Sequence, residues 1–277
     1  MLYLLALTLP VLYGNSAQAG DLANTIKLPA PGITFHLNEA SASRVPWINS
    51  NGWRFMRQPN AQFSYDVKDN TATLAAAEAF CFHANAIVKT GSSGLGPLGD
   101  MQNFLRTLPP APEQPIADIG FVDDGSDAAA EVMNLLVRDN LMFKIVRSPD
   151  PNLKLTVQLG SKEYPLNEAK NPDLMEHKIR ANLTDARRLI RIYGTSVVVA
   201  RVTGTPENCR IHLLNYGSAQ GVRVGAFRVR ILGRYAKAQL HSFGAPNDQP
   251  ADYNPEQDAT EFTIPELKTY AVVDLSN

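Results

Sequence analysis

The last third of the chain alternates apolar and polar residues in short runs. Residues 227–231 place Phe, Val and Ile on one parity and two arginines on the other, and residues 209–213 repeat the pattern. A period of two is typical of β-strands that have one face in a core and the other in water. Further runs of this kind, separated by Gly, Pro and Asn, predict an antiparallel β-sandwich over residues 189–275.

A hairpin and a surface histidine are expected within this region. Residues 189–193 and 197–202 are rich in Ile and Val and flank Gly194-Thr195, which predicts two strands joined by a short turn. His212 lies on the parity opposite to its apolar neighbours, so we expect it on the wet face of its strand.

The middle of the chain alternates helical and strand patterns. Residues 71–84 are rich in Ala and Leu and predict a helix leading into a short strand at residues 86–88. The apolar spacing in residues 101–108 predicts an amphipathic helix that Pro109-Pro110 ends. Residues 116–146 then read strand, helix, strand, with Ser126 as the helix cap, and this order predicts a parallel sheet with helices on its faces.

The predicted fold class is therefore α/β followed by all-β: a small parallel-sheet domain and a carboxy-terminal antiparallel β-sandwich. We divide the chain into four segments. They are a signal peptide (1–19), an irregular segment packing on the α/β domain (20–70), the α/β domain (71–165), and a linking helix with the sandwich (166–277).

The amino terminus carries a processing signal. Residues 1–13 are almost wholly apolar but shorter than the ~20 residues a membrane helix needs, and Ala17-Gln18-Ala19 follows with the small-x-small spacing of a cleavage site. We predict cleavage after Ala19, a secreted or periplasmic protein, and no membrane attachment after processing. No Lys or Arg precedes the apolar run, so a buried amino-terminal strand or helix is the alternative.

Charge and composition exclude some functions. A net charge of −1 with both signs scattered along the chain argues against binding to nucleic acid. The histidines are dispersed without metal-ligand spacing, and no glycine loop carries the lysine of a phosphate site, so we predict no metal and no cofactor. Cys81 and Cys209 each lie in an apolar pattern, which favours buried thiols over a disulfide.

Three stretches of the tail resemble a known family. Residues 210–216 (RIHLLNY), 228–233 (RVRILG) and 262–274 (FTIPELKTYAVVD) are similar to the closing β-domain of multi-domain secreted glycoside hydrolases of the β-galactosidase-like kind. In those enzymes a catalytic barrel comes first, followed by an α/β domain that resembles a class I glutamine amidotransferase. The resemblance implies that residues 71–157 correspond to that middle domain and that the protein is associated with carbohydrate.

The chain departs from that pattern in its chemistry. Neither Cys81 nor Cys209 sits on the glycine-flanked elbow that an amidotransferase nucleophile requires. A barrel of about 250 residues does not fit ahead of the sandwich, so we expect the catalytic barrel to be missing from this chain.

A candidate ligand site lies in residues 44–57, where aromatic rings, amides and guanidinium groups are concentrated. Such groups suit sugar rings and their hydroxyl or carboxylate substituents. The alternative is that the two tryptophans anchor this segment to the α/β core. The predicted ligand-binding residues are His36, Trp47, Asn51, Trp53, Arg54 and Arg57.

Candidate catalytic carboxylates follow the strand of residues 116–122. Asp123 and Asp124 lie where open α/β sheets place their ligands, although a helix start rich in capping residues explains them equally. Glycoside hydrolysis needs two carboxyls roughly 5 Å or 6.5–9.5 Å apart, so a second one would come from Glu39, Asp66 or Glu78.

Three functions fit this sequence. The first is a secreted, carbohydrate-associated protein that binds a glycan as an accessory module without turning it over. The second is a glycoside hydrolase of unusual layout that uses paired carboxylates. The third is a structural module that mediates homo-oligomerisation.

Overall fold

The computed structural model describes residues 11–13, 22–35, 46–246 and 248–277. His36 and Glu39 lie outside the described residues. The strands are, in chain order, β1 (Val11–Tyr13), β2 (Ile26–Leu28), β3 (Gly32–Phe35), β4 (Pro46–Asn49), β5 (Gln62–Asp66), β6 (Asn85–Lys89), β7 (Ile119–Val122), β8 (Phe143–Val146), β9 (Leu155–Gln158), β10 (Ile190–Tyr193), β11 (Val198–Gly204), β12 (Asn208–Asn215), β13 (Phe227–Leu232), β14 (Lys237–Ser242), β15 (Ala251–Pro255), β16 (Ala259–Ile264) and β17 (Tyr270–Ser276). The helices are α1 (Gly52–Arg57), α2 (Asp69–Cys81), α3 (Leu95–Thr107), α4 (Asp127–Arg138), α5 (Leu166–Ala169) and α6 (Pro172–Leu183).

Two parallel sheets form the first part of the molecule. One has the strand order β1-β6-β5-β2 and the other β8-β7-β9. Helix α2 connects β5 to β6, and α4 connects β7 to β8. The predicted strand–helix–strand order is confirmed, and so is the helix cap, because Ser126 Oγ accepts a hydrogen bond from Ala129 N at 3.1 Å.

Helix α2 is buried on more than one side. Its run of alanines is almost inaccessible to water, and the helix contacts β6 of the parallel sheet as well as β12 of the antiparallel part. A helix covered on several sides has no wet face and hence no polar stripe. Small side chains let it lie close to both layers.

Two four-stranded antiparallel sheets form the carboxy-terminal part. Their strand orders are β10-β13-β16-β15 and β11-β12-β17-β14. The chain therefore combines parallel α/β elements with antiparallel sheets, as its pattern predicts. The hairpin expected around Gly194 is wrong, because β10 pairs with β13 in one sheet while β11 pairs with β12 in the other. Gly194, at φ +87°, lies where the chain crosses between them.

The alternation of apolar and polar residues corresponds to a half-exposed strand in β13 but to a buried strand in β12. In β13 the arginines are more exposed than their apolar neighbours, as expected. In β12 every residue after the first is buried. The surface position expected for His212 is wrong, since its exposed fraction is 1%. The reason is that β12 is a central strand and α2 covers the face that carries its polar residues.

The remaining segments give one confirmation and one correction. Cys81 and Cys209 are free and buried, as predicted, and burial raises the pKa of their thiols to about 12 and about 11. Residues 20–70 are not irregular within their described part, because they contain β2 to β5 and α1. Each of these elements has three to six residues, too few to show a clear period in the sequence.

The amino-terminal strand lies within the predicted signal peptide. Val11–Tyr13 pairs in parallel with β6, with Val11 opposite Ile87. Residues 1–10 and 14–19 lie outside the described residues. Among the described helices, none combines the length and the apolar character that crossing a membrane requires.

Candidate functional site

The two tryptophans of the predicted ligand segment each meet arginine side chains of this chain. Trp53, on α1, has the guanidinium carbon of Arg54 at 4.2 Å and that of Arg57 at 5.2 Å from its ring centre. Trp47, on β4, has the guanidinium carbon of Arg138 at 3.4 Å. Both indoles are half-buried. Ring faces that a sugar would use are thus already in contact with guanidinium groups.

Asn51 points inward, to a carboxylate at the centre of the molecule. Glu78, on α2, is fully buried and accepts hydrogen bonds from Asn51 N at 2.7 Å and Asn51 Nδ2 at 3.1 Å. It also accepts from Ser50 Oγ at 3.1 Å, Tyr65 OH at 2.6 Å and Tyr216 OH at 2.6 Å. A buried carboxylate surrounded by donors in this way is satisfied without a ligand.

The donors to Glu78 come from separate parts of the fold. Ser50 and Asn51 lie between β4 and α1, Tyr65 on β5, and Tyr216 in the 3-10 turn Tyr216–Gln220 that follows β12. Burial, followed by the neighbouring Glu78 charge, raises the pKa of both tyrosines well above the usual value, so both remain donors. Glu78 therefore ties the parallel sheet to the antiparallel part. Its sequence signal is an acidic residue inside an Ala-rich helix.

Arg57 of the predicted ligand segment and the candidate carboxylate Asp123 form an ion pair. Arg57 Nε donates to Asp123 Oδ2 at 2.8 Å, and Nη2 donates to Oδ1 at 2.7 Å. Arg57 Nη2 also donates to Ser126 O at 3.2 Å. This two-point ion pair holds α1 against the turn between β7 and α4.

The other candidate carboxylates lie apart from that pair or at its edge. Asp124 is exposed and accepts a hydrogen bond from Ser126 N at 2.9 Å. Hydrogen bonds from the side chain and then the backbone of Ser126 lower the pKa of Asp124. Asp66 is exposed at the end of β5 and pairs with Lys89 at 2.8 Å. Arg54 donates to Asn51 Oδ1 at 3.3 Å. Asp123 and Asp124 thus meet an arginine and a backbone amide at a capped helix start.

A cavity of about 590 Å³ lies under the segment between α3 and β7. We call it the linker cavity, because residues 108–114 form one of its walls. The opposite wall is the polar face of the sheet β11-β12-β17-β14, to which Thr203, Arg210 and His212 belong through their cross-strand pairing. The lining is completed by Phe80 on α2, His83 just beyond α2, and Leu105 and Arg106 on α3. Sequence reasoning missed this site because it assigned that face to water.

Fixed hydrogen bonds hold the polar groups of this face. His212 Nδ1 lies 2.6 Å from Tyr270 OH, and its Nε2 lies 3.3 Å from Thr203 Oγ1. Arg210 donates to both carboxylate oxygens of Asp274, at 2.6 and 2.7 Å, and to a backbone carbonyl of the linker. Burial, and then the positive charges nearby, hold the pKa of His212 well below its usual value. The imidazole is therefore neutral.

His83 enters the linker cavity from the end of α2. Its N–H donates to Phe80 O at 3.0 Å, and Ala84 N–H donates to Ala79 O at 2.8 Å, which is the Schellman arrangement of a helix end. Glycine usually takes the left-handed position in that arrangement, but here His83 takes it, at φ +52°. For a non-glycine residue this conformation costs roughly 1–2 kcal/mol. A strained residue that carries an imidazole into a cavity is a candidate functional residue.

A second cleft, of about 560 Å³, lies on the other side of residues 110–112. We call it the strand-end cleft, because it is formed by the first residues of β12 and β14 and the last residues of β17. Its lining combines prolines and small apolar residues with polar side chains, three of which are amides. The amides are Asn208, Gln239 and Gln249, and the other polar groups include Lys237, Tyr253, Asp274 and Ser276.

A third cleft, of about 250 Å³, is lined by arginines at the end of α4. Arg138, Arg180 and Arg188 reach it, together with Asp139. Arg180 and Arg188 both pair with Asp185, which lowers the pKa of that carboxyl to about 2. The positive charge of this cleft is therefore partly neutralised within the chain.

Known proteins match this chain in fold alone. No protein-family model and no curated protein sequence matches it. The structure is similar to the α-L-fucosidase isoenzyme 2 from Paenibacillus thiaminolyticus, with a TM-score of 0.61 and 8% sequence identity, covering 91% of this chain and 65% of that chain. A weaker likeness, with a TM-score of 0.43 and 7% identity, covers 90% of this chain and 53% of a catalytic mutant of the GH42 β-galactosidase Gan42B from G. stearothermophilus.

The fold is thus similar to that of the fucosidase structure. The chain spans about two thirds of the length of that fucosidase. An identity of 8% carries no residue of an active site across to this protein.

Proposed function

We propose that this protein is a secreted, carbohydrate-associated accessory module that binds a glycan without hydrolysing it. The observation that carries the proposal is the side-chain set of the strand-end cleft. Asn and Gln amides donate and accept at once, as neighbouring sugar hydroxyls require, and the Tyr253 ring offers an apolar surface beside them. The glycoside-hydrolase fold is consistent with such a role.

Binding is favoured over hydrolysis by the carboxylates. Among the described residues, each cleft has one carboxylate in its lining. It is Asp274 in the strand-end cleft, Glu113 in the linker cavity and Asp139 in the arginine cleft. Asp274 is already paired with Arg210 at two points. A glycosidase needs two carboxyls across one cleft, and the described residues that line these three clefts include no such pair.

We assign the predicted ligand segment to anchoring. Asn51 is engaged by Glu78 and Arg57 by Asp123, so each group is used inside the fold. Two variants separate this assignment from a glycan site at Trp53. Gln239→Ala should weaken glycan retention about tenfold, the loss of one to two hydrogen bonds, with unchanged melting. Trp53→Ala should cost about 3 kcal/mol of stability, because it empties a packed position, while binding by the folded fraction is kept.

The assay is retention on a panel of polysaccharides, with Gln62→Ala as the matched surface control on β5. Loss of binding in Trp53→Ala at unchanged melting would move the site to the predicted segment. Absence of retention on every glycan, at protein concentrations that detect millimolar affinity, would count against glycan binding altogether. Release of reducing sugar by the wild type would favour the hydrolase.

Homo-oligomerisation stays a separate proposal. The two antiparallel sheets would pack face to face as a sandwich and leave the edge strands β10, β11, β14 and β15 at its margins. Light scattering tests this directly, because a monomeric mass across a hundredfold concentration range would remove an assembly role.

A further inference from the structure

The linker cavity has an apolar wall and a polar end. Phe80 and Leu105 on the helices and Leu108 at the start of the linker form the wall. His83, His212 and Arg210 lie at the polar end. A cavity of about 590 Å³ with this division is in the size range of small-molecule sites, which combine apolar walls with a few placed polar groups.

One polar atom at that end has no partner. His83 Nε2 is buried and makes no hydrogen bond with any described residue. The other ring nitrogen, Nδ1, lies 3.9 Å from a carboxylate oxygen of Glu113 on the linker, too far for a hydrogen bond. Buried polar atoms are nearly always paired, and His83, which carries this unpaired one, lines the cavity.

The charges around His83 favour an anionic partner. Arg210 is neutralised by Asp274, whereas Arg201 on β11 donates to the Cys81 carbonyl, at 2.8 Å, and lies over the Phe82 ring. Among the described residues, no carboxylate forms an ion pair with Arg201. Burial, and then the charges of Arg201 and Arg210, lower the pKa of His83 to about 4.

We propose that the linker cavity binds a small organic carboxylate with an apolar body. The carboxylate accepts from His83 at the polar end, within the field of Arg201, and the body packs against Phe80, Leu105 and Leu108. This site is separate from the strand-end cleft, although the linker borders both, and it does not depend on glycan binding.

Ligand binding is coupled to a proton in this arrangement. A carboxylate beside His83 raises the pKa of the imidazole above its value of about 4 in the free protein, so binding takes up a proton and tightens as the pH falls from 7.5 to 5.5. The titratable and charged groups that face His83 from the packed elements are His212, Arg210, Arg201, Arg106, Glu113, Tyr270 and Asp274.

The test uses the full chain and two probes, 3-phenylpropanoate and its neutral amide. Binding is measured by calorimetry at pH 7.5 and pH 5.5, and the His83 ring is followed by NMR. We expect millimolar or tighter binding of the acid, at least tenfold weaker binding of the amide, and a several-fold gain in affinity at pH 5.5. His83→Gly should lose at least tenfold of the affinity and all of the pH dependence.

Two further variants keep the test decisive. Glycine fits the left-handed position, so His83→Gly should melt at or above the wild-type temperature. Leu108→Trp, which fills the apolar end while leaving His83 in place, should also abolish binding, whereas the exposed-site control His177→Asn should not. The proposal would be overturned by equal binding of acid and amide or by unchanged affinity in His83→Gly. Absence of binding of the acid at about 10 mM would overturn it as well.

Discussion

Two polar residues, one in α2 and one just beyond its end, differ in whether their buried polar atoms have hydrogen-bond partners. Glu78 is buried at the middle of α2, and five donor atoms satisfy it. His83, just beyond the end of α2, has a buried nitrogen without a partner and a strained backbone. A fully satisfied buried group stabilises the fold, whereas a strained and unsatisfied one is retained at a cost to stability. The first is structural and the second is the candidate for function.

Replacing Glu78 should therefore have a large effect on stability. Glu78→Ala leaves two tyrosine hydroxyls, a serine and an asparagine without their buried acceptor, and we expect a loss of at least about 3 kcal/mol in the free energy of unfolding. Urea unfolding measures it. Glu131→Ala, on the exposed side of α4, is the matched control and should change stability by less than about 0.5 kcal/mol. A small effect of Glu78→Ala would contradict the role assigned to this carboxylate.

His83 should make the protein less stable in acid. Its pKa is lowered to about 4, whereas an unfolded histidine titrates near 6.5, so the unfolded state binds more protons between these values and stability falls as the pH drops through that window. His83→Asn removes this dependence and tolerates the left-handed backbone. Relative to wild type, the variant should gain about 2–3 kcal/mol between pH 7 and pH 4.5.

The control for this prediction is His177, which is exposed on α6. A backbone carbonyl and the neighbouring Glu176 raise its pKa, so its contribution has the opposite sign and is lost as the pH rises. His177→Asn should therefore not gain stability in acid. If the free energy of unfolding changed equally in wild type and in His83→Asn between pH 7 and pH 4.5, His83 would not titrate as described.

At the scale of elements, α1 shows how a short helix is held. With six residues it has little stability of its own, and its position depends on tertiary contacts. Phe55 packs edge-on against Phe63 of the parallel sheet at 4.9 Å between ring centres, and Arg57 reaches Asp123 at the turn before α4. The helix thus joins both parallel sheets.

The Arg57–Asp123 pair should be energetically coupled. Both side chains are mostly buried and meet at two points, so a double-mutant cycle with Arg57→Ala and Asp123→Ala should give a coupling energy of about 1–2 kcal/mol. The exposed Lys89–Asp66 pair is the comparison and should give less than about 0.5 kcal/mol. Equal coupling in the two cycles would mean that the burial of the first pair contributes nothing.

At the scale of the whole molecule, cleavage of the amino terminus would decide which strand forms one edge of the first parallel sheet. Cleavage after Ala19 would remove Val11–Tyr13 and leave β6 as the edge strand of its sheet. We expect the protein recovered from the medium or periplasm, after expression of the complete gene, to begin at Gly20. Amino-terminal sequencing and intact mass decide this, and a recovered chain that begins at Met1 would contradict secretion through this signal.

The whole molecule also explains where the candidate sites lie. Both large clefts border residues 110–112, in the segment that connects α3 to β7 and so links the two parallel sheets along the chain. Junctions between structural layers leave concave surfaces because irregular backbone packs less completely than helices and sheets do.

The sequence by itself determined the local elements. Period-two runs identified β12 and β13 as strands, the alanine-rich run identified α2, and the hydroxyl of Ser126 marked the start of α4, because each of these signals depends on residues close together in the chain. Burial of Cys81 and Cys209 followed from the same local patterns. The short elements within residues 20–70 were not predicted, because three to six residues do not establish a period.

Only the tertiary structure decided which polar residues meet. His83 follows a helix and His212 lies on a strand far along the chain, and their rings come within 6.1 Å because α2 covers the polar face of β12. The alternation in β12 is compatible with water or with a second layer on that face, and nothing local distinguishes the two. Burial of a second face depends on what packs there, which is a property of the whole fold.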